Sequence, residues 1–546
     1  MTVRDISTTS TTSTTSTTSP LRYSYPLYIN GEDRPGTGWT YSLDAGAFLA
    51  DPRASFVRKR KLERLGAGDP EGDVTGMVGR VAISGPQDVA DALEAAHAAR
   101  REWARVDLET RLRLLRRLHT GLTERYDELL AILISEGHPR RLAEWEIAGM
   151  LMGSSEQTVS FYRDQMDQRF DSPDHTLALL RKPDGVVCLN PPQNAAATNS
   201  GLGIAALAAG NTLVVKAPRT SPLGVAFVYR ELVAPVLEDL GAPPGTLNLV
   251  SGPTSPMLRQ WLDSPYVDDV MFFGDSDVGL EFGAECVARG KKPVLELAGN
   301  DTAVVWHDAD LDGAVEALVE CFYGSGQICM VPKCAVVHPD IADELLARLT
   351  ARCRELRPGY PDDPEVLLSP VLKIDRFQEV LAEARQLGGK VLCGGERVDV
   401  DGVRTVNGVF VEPTVLRVDG LREARRMRAV REETFFPLLS VVVPDDRDDF
   451  DLLDAVIAFV NDNEYGLRNS LWSRDEKVVD AFTREVTNAG LLKVNDSHIG
   501  FVPYLGTHGG TGRTGGPFGE LNYPILRTSH LHGVSVAKAG SGSRPV

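Results

Sequence analysis

The stretch NTLVVKAP at residues 211–218 is a run of β-branched and aliphatic residues that ends on a lysine, an alanine and a proline. Similar β-type runs lie on both sides of it and are separated by helical stretches: GVVCLN at 185–190, TLNLVSGP at 246–253 and DVMFFG at 269–274. Strands that alternate with helices at this spacing predict parallel βαβ units and a doubly wound sheet. A second region of the same kind runs from about residue 294 to 495. The predicted fold class is therefore α/β.

The composition of the chain excludes several classes of function. The 546 residues suffice for about two to four domains, and contents of 42% hydrophobic and 25% charged residues are typical of a globular protein. The net charge of −18 argues against a nucleic acid or an anionic membrane as partner, because both attract basic surfaces. Seven cysteines without CxxC pairs favour a reducing compartment over a disulfide framework. We therefore expect a cytoplasmic protein.

Three segments are interpreted from composition alone. Residues 1–25 contain a Ser/Thr repeat without the apolar core of a signal sequence, and we predict that they are disordered. Residues 51–75 are charged and contain glycine and proline, which indicates an insertion or loop. The apolar stretch at 201–217 is too short and too broken to span a membrane.

Two stretches are candidates for nucleotide binding. FFGDSDVG at 272–279 follows an apolar strand and precedes a helix, so its backbone N–H groups can face an anion. Its spacing is not GxGxxG, and a plain turn is the alternative. Lys216 and Arg219 follow a strand, where an open α/β sheet has its ligand crevice. Two exposed charges at a strand end are the alternative there.

Two further stretches are candidates for catalysis. GSGQICMVPKC at 324–334 contains Cys329 and Cys334, although a cysteine is more often a small buried residue than a nucleophile. VLELAGN at 294–300 places Glu296 inside an apolar run. A carboxylate in such surroundings faces a cleft or is held by partners, and burial raises its pKa toward the range of a general base.

Five motifs occur in an order that resembles the aldehyde dehydrogenase superfamily, over roughly residues 26 to 540. They are AAGNTLVVKAPRTSP, LELAGN, GQIC, EETFFP and NDNEYGLRNSLWSRD. Each motif alone is modest support, whereas the five in this order strongly favour membership.

The resemblance implies roles for the catalytic candidates. Cys329, in GQIC, stands at the position of the nucleophile, whose thiolate adds to an aldehyde carbonyl; hydride then passes to nicotinamide and a thioester remains. Cys334 is expected to be a packing residue. Glu296 stands at the position of the general base, which activates water to release the acid.

The oxyanion donor has two alternatives. Hydrolytic members usually read PWNFP, whereas this chain reads NPPQNAAATNS at 190–200. In the family an asparagine side chain stabilises the oxyanion. An alignment without a gap places this asparagine on Gln193, and an alignment shifted by one residue places it on Asn194. With that shift the segment resembles CoA-acylating aldehyde dehydrogenases, and we prefer Asn194.

The resemblance also implies NAD or NADP as the cofactor. Arg219 stands where NAD-preferring members have glutamate and can pair with a 2′-phosphate, which favours NADP. Asp275 replaces the usual serine of the phosphate turn and is either near the pyrophosphate or a helix cap. Phe436 replaces a glycine of the family motif and is expected to narrow the site on the side where the nicotinamide binds. The expected cofactor contacts are Lys216, Arg219, Gly274, Asp275, Ser276, Gly279, Glu433 and Phe435, with Glu433 at the nicotinamide ribose.

The tail GTHGGTGRTGGPFGELNYPILRTSHLHG at 506–533 resembles dehydrogenases for CoA-linked semialdehydes of aromatic-ring degradation. Thr514 stands where many hydrolytic members have a second glutamate. His508, His530 and His532 lack the spacing of metal ligands, so we expect no metal and place these residues at the surface or an interface.

The resemblance implies an architecture of three parts. It also implies that the protein assembles as a homodimer or homotetramer. These parts are a Rossmann-type dinucleotide-binding domain (26–160 and 182–294), a catalytic domain (295–495), and a small β oligomerisation flap with the C-terminal tail (161–181 and 505–546).

The preferred function is NAD(P)-dependent oxidation of an aldehyde, free or CoA-linked, to a carboxylic acid. Acyl transfer to CoA is the alternative within the family. A non-oxidative acyl-thioester hydrolase or transferase, or a quiet binding protein, is the alternative on the same fold.

Overall fold

The structure is a computed structural model that describes residues 21–68, 73–445 and 449–538. Within these ranges no helix is both long and apolar enough to cross a membrane. Most of the segment predicted to be disordered, residues 1–20, lies outside the described residues. The prediction is wrong at its end, because Tyr23–Tyr25 forms a strand that pairs in parallel with residues 79–81.

The strands are numbered in chain order. They are β1 (Tyr23–Tyr25), β2 (Leu27–Ile29), β3 (Glu32–Arg34), β4 (Gly38–Leu43), β5 (Met77–Ile83), β6 (Asp167–Asp171), β7 (His175–Pro183), β8 (Val186–Asn190), β9 (Thr212–Ala217), β10 (Leu247–Ser251), β11 (Asp269–Phe273), β12 (Lys292–Glu296), β13 (Asp301–Val305), β14 (Pro332–Val337), β15 (Lys390–Cys393), β16 (Arg397–Val398), β17 (Phe410–Val411), β18 (Thr414–Asp419), β19 (Leu438–Val443), β20 (Tyr465–Gly466), β21 (Arg468–Trp472), β22 (Leu491–Val494), β23 (His508–Gly509), β24 (Thr511–Gly512), β25 (Leu521–Asn522) and β26 (Ser529–Ala537).

The helices are numbered in the same way. They are α1 (Ala45–Ala50), α2 (Pro52–Glu63), α3 (Pro86–Arg105), α4 (Leu108–Glu124), α5 (Tyr126–Ser135), α6 (Arg140–Gly153), α7 (Glu156–Met166), α8 (Ala196–Ser200), α9 (Leu202–Ala209), α10 (Pro222–Phe227), α11 (Ala234–Asp239), α12 (Thr254–Asp263), α13 (Ser276–Ala288), α14 (Leu311–Val319), α15 (Pro339–Glu355), α16 (Ile374–Gln386), α17 (Leu421–Ala424), α18 (Arg428–Arg431), α19 (Asp449–Asn461), α20 (Glu476–Glu485) and α21 (Pro524–Arg527). A π-helical turn (Val228–Val233) joins α10 to α11, and 3₁₀ turns lie at Glu320–Gly326 and Gly516–Phe518.

The first large sheet has the strand order β12-β11-β8-β9-β10-β2-β3. Its five strands from β8 to β12 are parallel, and β2 and β3 add an antiparallel hairpin at one edge. The chain moves from β8 to β10 in one direction and then returns to place β11 on the other side of β8. The carboxyl ends of β8 and β11 therefore flank the switch point at which open α/β sheets bind ligands.

The second large sheet has the order β15-β18-β19-β14-β13-β21-β22, and all its strands except β15 are parallel. Strands such as β14 and β19 are buried along their whole length, as expected for a parallel sheet covered on both faces. The chain passes from β12 of the first sheet to β13 of the second through residues 297–300 only. This short link brings the carboxyl ends of the first sheet close to the amino ends of the second.

A third sheet is formed by β6, β7 and β26, all antiparallel. Its first strand begins at Asp167 rather than at residue 161, because α7 continues as far as Met166. Of the C-terminal segment, only β26 belongs to this sheet. The short pairs β23–β25 and β20–β24 lie elsewhere, near the candidate site.

Of the two alternatives for residues 51–75, an insertion or a loop, the loop is wrong for the first half, where α2 forms. Asp51 caps this helix, since its carboxylate accepts from the Ala54 N–H at 2.9 Å, and Pro52 occupies the first helical position. Leu62 then packs into a core cluster with Trp39. Residues 69–72 lie outside the described ranges.

Candidate active site

Cys329 lies in the loop between the 3₁₀ turn at Glu320–Gly326 and β14. Gly324, Ser325 and Gly326 all have left-handed backbone angles in this loop. A Cβ at Gly326 would lie 2.5 Å from the Phe436 carbonyl oxygen, so only glycine fits there. The loop is therefore packed tightly against the segment that precedes β19.

The two thiols of this stretch have different environments. Cys329 is half-buried, whereas Cys334 is buried within β14 and belongs to a hydrophobic core cluster. The expectation that Cys334 is a packing residue is confirmed.

Gln193 and Asn194, the two alternatives for the oxyanion donor, make different contacts. The Gln193 side chain is exposed and its carbonyl accepts from the Thr220 N–H at 2.9 Å. The Asn194 amide instead donates to the Gln327 carbonyl oxygen at 3.0 Å, two residues before Cys329. An amide group in this position has a second N–H, which is free to face the nucleophile loop.

Glu296 is the last residue of β12 and only 4% exposed. One carboxylate oxygen accepts from the Gly509 N–H at 2.8 Å, and the other accepts from the side-chain amide of Asn522. Burial raises the pKa of Glu296 to about 7, although both of these hydrogen bonds oppose the shift. The expectation of a buried carboxylate held by partners is confirmed, and its pKa suits a base at neutral pH.

Gly299 connects Glu296 to the nucleophile loop. A Cβ at this position would lie 2.2 Å from the Cys329 carbonyl oxygen, so the two segments touch through their backbones. The Gly299 N–H also donates to the Glu433 carboxylate at 3.0 Å. Glu296, Cys329 and Glu433 are thus held around one short backbone segment.

Two buried cations lie beside the nucleophile. Lys333 donates to the Gly326 carbonyl of the nucleophile loop. Arg468 donates to the His498 carbonyl at 2.8 Å and the Thr507 carbonyl at 2.7 Å. Burial raises the pKa of the Cys329 thiol to about 12; nearby carboxylates add to the shift and Arg468 opposes it. The thiol is therefore protonated at rest and needs a proton acceptor before it can attack.

The cofactor candidates fall into two groups. Asp275, Ser276, Glu433 and Phe435 line one cleft of about 580 Å³, together with Arg513. Asp275 is a helix cap, since its carboxylate accepts from the first N–H groups of α13 at 2.9 and 3.3 Å.

The other cofactor candidates lie outside the lining of this cleft. Gly274 follows the last residue of β11, and Gly279 lets α13 approach the Leu297 side chain, which a Cβ would contact at 2.1 Å. Lys216 is at the carboxyl end of β9, and its buried ammonium has no hydrogen-bond partner within the described residues. Arg219 is exposed two residues beyond that strand.

These residues fit a dinucleotide. The unpaired Lys216 ammonium needs acceptor oxygens, which ribose hydroxyls supply, and the Glu433 carboxylate can accept from a second ribose. Arg513 also lines the cleft, and its guanidinium pairs with the Asp277 carboxylate at 2.5 Å.

Two expectations are corrected by the structure. Phe436 does not narrow the cleft, because it is buried and packs edge-on against Phe377 at 5.3 Å. His508 is not at the surface: it is 4% exposed, since the β23–β25 pair folds this part of the glycine-rich tail inward. His530 and His532 are exposed, as expected.

Several residues of the site were not identified from the sequence. Asn522 and Gly509 hold Glu296, and Lys333 and Arg468 flank the nucleophile. A lysine inside the otherwise apolar strand PKCAVV is the signal that could have identified Lys333, whereas Arg468 begins the mixed strand RNSLW, which gives no such signal.

Comparisons with known proteins identify the family of this chain. The family model "Aldehyde dehydrogenase family" matches residues 68–524. A betaine aldehyde dehydrogenase of Beta vulgaris is 30% identical over 86% of this chain and 92% of its own length. An alpha-ketoglutarate semialdehyde dehydrogenase of Haloferax volcanii is 32% identical over 82% of this chain and 91% of its own.

A solved structure has the same fold. The NAD-dependent aldehyde dehydrogenase from Sinorhizobium meliloti aligns with a TM-score of 0.79 at 23% identity, over 96% of each chain. The chain belongs to the aldehyde dehydrogenase family.

Proposed function

We propose that this protein oxidises an aldehyde to a carboxylic acid with NAD⁺ or NADP⁺, through a thioester on Cys329. The observation that carries the proposal is the arrangement around the nucleophile. The Asn194 amide reaches the loop from one side, and Glu296, with its raised pKa, is joined to the same loop through Gly299.

In the first half of the reaction the Cys329 sulfur forms a bond to the aldehyde carbon. Glu296 takes up the thiol proton, because a carboxylate with a pKa of about 7 accepts it more readily than bulk water does. The carbonyl oxygen becomes an oxyanion, which the second N–H of Asn194 and the Cys329 N–H stabilise. Lys216 and Glu433 would hold the ribose groups of the dinucleotide, and its nicotinamide would supply the hydride acceptor, which would leave a thioester on Cys329.

Before the second half Glu296 passes the thiol proton to solvent, and as a carboxylate it then removes a proton from water. The resulting hydroxide adds to the thioester carbonyl, the carbon–sulfur bond breaks, and Cys329 leaves as the thiolate with release of the acid. The hydrogen bonds from Gly509 and Asn522 fix the orientation of the carboxylate during both steps.

The direct test is reduction of NAD⁺ and NADP⁺ by the full-length protein with aliphatic, aromatic and CoA-linked aldehydes, followed by near-ultraviolet absorbance. We expect reduction to need the aldehyde and to be more efficient with NADP⁺, because the exposed Arg219 can pair with a 2′-phosphate. Absence of reduction with every pair would contradict the proposal.

The Asn194→Ala variant is expected to lower kcat by about 100- to 1000-fold, the loss typical of a missing oxyanion donor. The matched control is Gln193→Ala, which removes the neighbouring amide that bonds to Thr220 instead, and we expect it to stay within about threefold of the parent. Steady-state rates at saturating nucleotide measure both. A larger loss of kcat in Gln193→Ala than in Asn194→Ala would assign stabilisation of the oxyanion to Gln193.

Transfer of the acyl group to CoA is the second candidate, and the PPQNAAAT segment at 191–198 favours it. The same assay separates the two outcomes when the product is analysed with and without CoA. A carboxylic acid formed at an equal rate in both supports hydrolysis, for which the buried Glu296 base is suited.

We also propose that the sheet of β6, β7 and β26 joins subunits in a homodimer or homotetramer. Large apolar side chains are exposed on it: Phe170, Leu177, Leu531, Val534 and Val536. Exposed apolar patches of this kind mark protein interfaces. Sedimentation of the full chain is expected to show an oligomer, and replacement of Phe170 and Leu531 by serine is expected to dissociate it. The seven free thiols support a cytoplasmic location.

A further inference from the structure

A narrow cavity of about 90 Å³ lies beside the candidate site. It is lined by α4, α6, α9, the 501–508 segment and Asn522. Cys329 and Glu296 do not line it, but Asn522 connects it to Glu296 through the side-chain amide. Phe501, which lines the cavity, stacks on Trp145, and Trp145 packs in the same cluster as Cys329. The cavity therefore adjoins residues that contact Glu296 and pack near Cys329.

The lining carries no formal charge within the described residues, since it contains no Asp, Glu, Lys or Arg. Most of its polar groups are already satisfied. The hydroxyl groups of Ser154, Thr158 and Thr198 each donate to a main-chain carbonyl oxygen. A charged substrate body placed here would be buried without a partner, which is costly.

Two side chains of the lining are exceptions. His508 and Asn522 are directly opposite each other in the β23–β25 pair, so their side chains lie on the same face of this pair. They are 4% and 5% exposed. The Nε2 atom of His508 and the Oδ1 atom of Asn522 are both buried and have no hydrogen-bond partner among the described residues. Buried polar atoms of this kind usually have a partner, and two together indicate a ligand group.

The neighbours of this pair define what it can bind. The Asn522 NH₂ group faces the Glu296 carboxylate, which leaves Oδ1 as an acceptor for the ligand. On His508, Nδ1 is within 2.7 Å of the Thr507 hydroxyl, and when that hydroxyl donates, Nε2 carries the proton. The pair then offers one donor and one acceptor, and a hydroxyl group matches both.

We propose that His508 and Asn522 bind a hydroxyl group of the substrate, so that the preferred substrates are uncharged hydroxyaldehydes with an otherwise apolar body. The inference rests on the proposed aldehyde oxidation and specifies its substrate class. The hydroxyl donates to Asn522 Oδ1 and accepts from His508 Nε2–H. Because Asn522 also holds Glu296, the hydroxyl binds close to the group that activates water.

The test compares matched substrates on the full-length protein. The pairs are the 2-, 3- and 4-hydroxybenzaldehydes against benzaldehyde, and 3-hydroxypropanal against propanal, with 4-carboxybenzaldehyde as the charged competitor. We expect at least one hydroxylated aldehyde to exceed its plain counterpart by about 10- to 100-fold in kcat/KM, since two buried polar atoms gain partners. Equal efficiency for all hydroxylated and plain aldehydes, or a preference for the carboxylate, would overturn the proposal.

The His508→Phe variant separates hydroxyl recognition from a general role. In this variant the preference for hydroxylated over plain aldehydes in kcat/KM is expected to fall to about threefold or less. His508→Gln, which retains a hydrogen-bond donor, is expected to recover part of this preference. Thermal midpoints show whether each variant is folded. An equal loss of kcat/KM with hydroxylated and plain aldehydes would instead assign the pair to catalytic water or to structure and would overturn the inference.

A binding measurement keeps the inference separate from catalysis. The hydroxyacetophenones and acetophenone have no hydrogen on the carbonyl carbon and cannot be oxidised. Calorimetry is expected to show tighter binding of at least one hydroxyacetophenone to the parent protein, and loss of the difference in His508→Phe. If no aldehyde reduces either nucleotide but this difference is present, the proposed function fails and the hydroxyl site stands. If reduction occurs without the difference, the hydroxyl site fails.

Discussion

Replacement of Cys329 by alanine is expected to lower kcat for aldehyde oxidation by at least about 10⁴-fold, because no other group can form the thioester. The half-buried Cys329 lies in the loop that the Asn194 amide reaches and that contacts Gly299. Nucleotide reduction by the purified variant, measured at saturating aldehyde, gives the result directly.

The matched control is Cys393→Ser, which removes another half-buried thiol from β15, away from the described site. This variant is expected to keep kcat within about threefold of the parent. A Cys329→Ala variant that retains more than a tenth of the parent activity would contradict the assignment of the nucleophile.

Replacement of Glu296 by glutamine is expected to separate the two halves of the reaction. Glutamine keeps the shape of the side chain and can still accept from the Gly509 N–H, but it cannot remove a proton from water. We expect kcat to fall by about 100- to 10⁴-fold, the usual contribution of a general base. Rapid mixing is expected to show a slower burst of one reduced nucleotide per subunit, since the thioester forms and then persists. A linear time course without a burst, at an undiminished rate, would contradict the role.

The pH dependence of the parent follows from the same residue. Burial raises the pKa of Glu296 to about 7, and only the carboxylate form can accept a proton. The rate of thioester hydrolysis is therefore expected to rise as the pH increases through about 7 and to level off above it. In single-turnover experiments this inflection is expected to be absent from Glu296→Gln.

The fold was predictable because both large sheets are built from short β-rich runs that alternate with helices. NTLVVKAP forms β9, and DVMFFG forms β11. The burial of Glu296 in an apolar run and the cap at Asp275 depend on neighbours in sequence, so both could be expected without coordinates. Local pattern and periodicity carry this kind of information.

The parts that could not be predicted depend on contacts between distant segments. Asn522 reaches Glu296 across 226 positions, because β25 pairs with β23 above the end of β12. His508 is buried for the same reason, and Phe436 turns into the core because Phe377 of α16 packs on it. No periodicity in GTHGGTGRTGG shows such contacts, because glycine-rich segments have no apolar pattern that defines a buried face.

The most direct test of the Cys329 thioester is the mass of Glu296→Gln after incubation with an aldehyde that the parent protein oxidises and with NAD⁺ or NADP⁺. We expect one acyl adduct per subunit, found after digestion on the peptide that contains Cys329 and labile to hydroxylamine. An adduct on Cys334 or any other residue, or steady turnover without an adduct, would contradict a thioester on Cys329 that Glu296 resolves.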